Sequence, residues 1–101
     1  MSDENKQWTK KDQDTLVGII GSLSKNAHFF KGLGERGEIK ESFNVQNSRE
    51  FGLGIFLGGV YFAFANYWLR EHGKEIAQED VEFMIFQIIQ VKDMIIDALF
   101  K

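Results

Sequence analysis

A chain of 101 residues corresponds to one domain, 1–101, and a composition that is 44% hydrophobic, 14% aromatic and 27% charged is that of a polypeptide that buries a core. It has no cysteine, which excludes a disulfide framework, a thiol nucleophile and any Cys-ligated zinc or iron–sulfur centre, and fits a reducing, cytoplasmic setting. A formal charge of −3 argues against nucleic acid as a direct partner. Proline is absent, so the ten glycines are the only strong breakers and long helices are expected.

Residues 1–8 read as a flexible N-terminus; Met1–Lys6 lack the basic start and apolar stretch of a signal peptide. Thr9 with Asp12 forms a loose capping pattern. After it Leu16, Ile20, Leu23, Ala27 and Phe30 recur at helical spacing, which predicts a helix over 10–31, stopped by Gly32 and Gly34. Residues 32–47 are the least regular, and either a short helix or an ordered loop satisfies them. Ser48 is the expected N-cap of a helix over 49–72, with Glu50 in its first turn, Arg70 and His72 in its last, and Gly73 as its stop. A final helix is predicted over 78–100. Its first turn is acidic, and its apolar residues, from Val81 through Met84, Ile88, Val91 and Ile95 to Ala98, are widened by Ile85, Ile89, Ile96, Leu99 and Phe100 into a stripe over half the circumference.

The segment Phe51–Leu69 has no charge, and it has two readings. It is long enough for a single membrane span, with Tyr67 and Trp68 as an interfacial belt and Gly54 with Gly58 as a GxxxG pair. Four glycines, two tyrosines and Asn66 dilute its hydrophobicity, which favours a core helix that is apolar all round and therefore buried. Gly54 and Gly58 then permit close helix approach, within the chain or across a dimer.

No motif points to catalysis. GLGERG at 32–37 matches the dinucleotide fingerprint by letter but follows a helix instead of a strand, so it reads as a helix stop and turn. His28 and His72 lie in different elements with no second ligand at helical spacing; His72 suits a helix C-terminus. Asp93 and Asp97 fall on a solvated face. Lys92 falls inside the apolar arc of the last helix, its stem suited to apolar surface and its amine to water or to an acid on a partner. Tyr61, Phe64, Trp68 and Phe86 are candidates to line an apolar pocket, with ordinary core as the competing reading.

The stretch GGVYFAFANYWLREHGKEIAQEDVEFMIFQII resembles the last two helices of TetR-type transcriptional regulators, through Gly59, Trp68, Leu69, Glu79 and Asp80. KNAHFFKGL at 25–33 is similar to an earlier helix of the same effector domain. The likeness covers about half the chain and its motifs are not specific. It implies a ligand-sensing and dimerisation domain without the DNA-binding helix-turn-helix, whose last two helices pair with their symmetry mates. The stretch between Phe30 and Trp68 is short for the full helix set of that family.

The fold expected is therefore all-α: three long helices plus an irregular segment or short helix, completed by dimerisation. The function expected is non-catalytic protein–protein interaction as a homodimer, without cofactor or metal. The ligand-sensing domain and the single-span membrane protein are the alternatives, and an apolar small molecule is a further partner. The expected interface is Gly54, Gly58, Ile88, Val91, Lys92, Ile95 and Leu99.

Overall fold

Thr9 starts the first helix. Its hydroxyl accepts from the Asp12 backbone N–H at 3.1 Å while the Asp12 carboxylate accepts from the Thr9 N–H at 2.9 Å, a complete capping box. The computed structural model describes residues 8–100, with six helices and no strand among the described residues. They are α1 (Lys10–Ser24), α2 (Ala27–Leu33), α3 (Gly37–Ser42), α4 (Ser48–His72), α5 (Gln78–Gln90) and α6 (Lys92–Phe100). Of the terminus expected to be flexible, 1–7 lie outside the described residues. Trp8 is packed, its ring 5.2 Å from Phe64, 5.7 Å from Trp68 and 4.8 Å from Phe83.

Three boundaries differ from the sequence reading. The helix expected over 10–31 breaks after Ser24. The Ser24 hydroxyl donates to the Ile20 carbonyl at 2.8 Å, a back-bond that bends helices, and the Lys25 N–H turns back to the Ser22 carbonyl at 3.3 Å. The new direction sets Phe30 edge-on against Phe56, with centroids 5.4 Å apart. The helix expected over 78–100 breaks at Val91, whose N–H reaches the Ile88 carbonyl at 3.0 Å in a tightened last turn. α4 is capped by Asn47 in place of Ser48: the Asn47 side chain accepts from the Glu50 N–H at 3.0 Å. The stop at Gly73 is as read, in the left-handed conformation at φ 74° with its N–H on the Leu69 carbonyl at 2.9 Å. Residues 32–47 contain the short helix α3, which buries nothing.

Both α4 and α6 rest on the layer formed by α1 and α2. Leu16, Ile20, Ala27 and Phe30 of that layer join Phe56, Val60, Phe64 and Trp68 of α4 and Met84, Ile88, Ile95 and Leu99 of α5–α6 in one core. The residues α4 buries are Gly52, Phe56, Val60, Phe64 and Trp68, every fourth one, so a single row faces the core. This corrects the expectation of a helix buried on all sides. One layer touches α4 on one side, and Ile55, Tyr61, Phe62 and Leu69 remain exposed, Phe62 at 69%. The chain is elongated, 47 × 26 × 23 Å, with a radius of gyration of 15.1 Å against about 13 Å for a compact domain of this length.

Candidate functional site

α4 and α6 rest on the shared layer, and α5 runs beside α4 without closing on it. The space between them is an open groove of about 400 Å³ lined by Leu57, Gly58 and Tyr61 of α4 and Val81, Met84, Ile85, Ile88 and Ile89 of α5. It runs on toward α6 as a recess of about 150 Å³ that shares Leu57, Ile88 and Ile89 and adds Leu53, Lys92, Ile95 and Ile96. Toward the end of α4 it meets a recess of about 250 Å³ that shares Tyr61 and adds Phe62, Ala65, Asn66, Leu69, Glu75 and Ile76. Of its lining residues Tyr61, Ile85, Ile89 and Ile96 are exposed. Together the groove and its recesses form an apolar strip along one side of the chain. The α4 wall lies off the buried row of that helix, whereas on the α5 side the core residues Met84 and Ile88 form its floor.

The structure redistributes the residues expected at an interface. Gly58 lies in the groove wall and Lys92 at its rim. A Cβ added at Gly54 or Gly58 would meet nothing within 4 Å, so neither serves a close approach inside the chain. That approach occurs at Gly52, where an added Cβ would overlap the Phe30 carbonyl oxygen. Ile88, Ile95 and Leu99 are exposed by only 9%, 2% and 0% and belong to the chain's own core, and Val91 is half-buried. The free row of the last helices is Ile85, Ile89 and Ile96, one position along. Of the four aromatics proposed to share a pocket, Tyr61 lines the groove, Phe64 and Trp68 are fully buried core, and Phe86 is exposed.

A second constellation had no signal in the sequence. Asp12 is completely buried, and its carboxylate accepts from the Tyr67 hydroxyl at 2.5 Å and meets His72 Nε2 at 3.1 Å. The His72 ring stacks on Trp68 with centroids 3.8 Å apart. Burial pushes the Asp12 carboxyl up, but hydrogen bonds from Tyr67, the Thr9 N–H and His72, with the imidazole charge, outweigh it and hold the group below the usual aspartate range. Burial and the Asp12 carboxylate push the Tyr67 hydroxyl up to about 12. Asp80, also buried, is raised by burial and by Glu79. The cluster holds the start of α1 to the end of α4, joining residues 60 positions apart. Asp12 read only as half of a cap and His72 only as a helix-end cation, because nothing local records that they meet.

His28, Asp93 and Asp97 are exposed, GLGERG spans the end of α2 and the turn into α3, and no metal-holding group of three or more His, Cys, Asp or Glu occurs among the described residues. Comparison with protein families, with curated proteins and with solved structures finds no match to this chain.

Proposed function

We propose that this chain is a non-catalytic association module that works as a homodimer, with the α4/α5–α6 face of one copy closed by the same face of a second. The observation that carries the reading is the continuous groove between α4 and α5, flanked by exposed Tyr61, Phe62, Ile85 and Ile89. Two-fold pairing is the commonest closed symmetry, and a self-complementary face needs no second gene product. The resemblance to TetR-type regulators points to the same two helices, since the final pair of that family meets its symmetry mates. The test is molar mass by light scattering in detergent-free buffer, for the wild type and for Ile85→Asp with Ile89→Asp. Both side chains are half exposed in one copy, so the variant is expected to fold as a monomer, while an unpaired carboxylate in a dimer seam is strongly disfavoured. A wild type that is monomeric at high micromolar concentration overturns the reading.

One observation favours a second reading. Ser48–His72 is long and apolar enough to cross a membrane, and only 28% of its most apolar stretch is buried by the rest of the chain. Recovery of the protein solely from the membrane fraction would select a single span and replace the soluble dimer.

A further inference from the structure

We propose that the second copy lies antiparallel across the groove, so that Lys92 of each subunit pairs with Glu75 of the other. The inference rests on the dimer reading above and specifies its register. Among the described residues Lys92 and Glu75 are the only charged ones lining the three connected recesses, and they stand at opposite ends. Lys92 lies level with Leu53 and Leu57 of α4, and Glu75 lies level with Ala65 and Leu69. Neither has an ion-pair partner among the described residues, whereas the nearby Arg49 is engaged over the Phe100 ring at 4.4 Å. At 1.5 Å per helical residue the two levels are about 18 Å apart, and the midpoint falls beside Gly58 and Tyr61.

A two-fold axis through that midpoint, perpendicular to α4, exchanges the two ends of the groove. It carries each lysine onto the partner subunit's Glu75 and makes both contacts at once. Gly58 then lies near the axis, and the open space beyond its α-carbon leaves room for the partner's backbone to come close. The α4 dipoles oppose each other in this arrangement. A parallel pairing would instead set lysine against lysine and glutamate against glutamate, a juxtaposition that is repulsive at both ends.

The experiment is a charge-swap set read by sedimentation equilibrium, with circular dichroism on each variant. Both residues are exposed, so Lys92→Glu and Glu75→Lys are expected to retain wild-type helicity. Each single swap makes both contacts repulsive and should weaken the dimer on the order of tenfold to a hundredfold at low salt, where each tenfold is 1.4 kcal/mol. An equimolar mixture of the two variants re-forms both pairs and should recover wild-type affinity, as should the double swap in one chain. Single variants that dimerise like the wild type, or a mixture that does not recover, overturn the register while leaving the dimer intact. A wild type that never dimerises overturns both. If a single variant loses helicity, the double swap and the salt dependence of the wild type decide: a dimer insensitive to salt overturns the pairing.

Discussion

At Gly52 the backbone of α4 lies against the carbonyl of Phe30, and no side chain fits between them. Gly52→Ala is therefore expected to destabilise by about 1–3 kcal/mol through overpacking, whereas Gly54→Ala gains helix propensity of up to about 1 kcal/mol because its added carbon meets nothing. Chemical denaturation of the two variants side by side checks this, and equal effects would remove the distinction. Asp12 carries more than its cap. Asp12→Asn takes the charged acceptor away from Tyr67 and His72 and is expected to cost about 2–3 kcal/mol at neutral pH. Its folded carboxyl titrates below the unfolded value, so the stability it contributes is present above the ordinary aspartate range and is lost as pH falls through the folded value. Asp80 is shifted the other way, so its burial disfavours the fold at neutral pH and is relieved on acidification. Denaturation midpoints between about pH 2 and 5 should therefore fall with acid in the wild type and fall less in Asp12→Asn. An unchanged slope would mean that Asp12 does not govern the acid limb.

The helices show how far tertiary contact overrides a local pattern. Leu16, Ile20, Ala27 and Phe30 share a face of one continuous helix, yet α1 and α2 are separate because Ser24 bonds back to Ile20 and the chain turns to bring Phe30 to Phe56. α5 and α6 divide at Val91 with neither glycine nor proline present, while Met84, Ile88, Ile95 and Leu99 stay on one side of the break. Within 78–100, amide hydrogen exchange is expected to be fastest at 92–93, where the backbone hydrogen-bond ladder is interrupted between the bonded Val91 and Met94 N–H groups. Uniform protection through 78–100 would show a continuous helix. The end of α4 is fixed more firmly: Gly73→Ala forces a β-carbon into the left-handed region and should lower stability by about 1–2 kcal/mol by thermal unfolding.

On the scale of the whole molecule the apolar residues outnumber the places to bury them. α1 and α2 form a single layer, and two helices lean on it, so each of those helices keeps an outer face in the open. The elongated shape follows from the same arrangement, and a second copy would bury those faces without rearranging the first. Trp8 packs on Phe64, Trp68 and Phe83 but is only partly buried, so Trp8→Ala is expected to cost less than the roughly 3–5 kcal/mol of a fully buried aromatic. Thermal unfolding measures that loss. No change would mean that the ring contributes nothing to the fold.

By itself the sequence determined what depends on neighbours along the chain: an all-helical class, the capping box at Thr9, the glycine stop after His72 and an apolar surplus in the last two helices. Each is set by spacing or by a residue's own backbone preference, which read out locally. It grouped Gly58, Lys92, Ile88, Ile95 and Leu99 on one expected face, of which Gly58 and Lys92 are exposed at the groove and the other three are buried. Periodicity shows that a stripe is apolar and says nothing about which part of it a neighbour covers. Only the tertiary structure decided that division, by laying α4 and α6 on one shared layer. Only it brought Asp12 to Tyr67 and His72, because contact between residues 60 apart depends on how helices cross, and no local rule encodes the crossing.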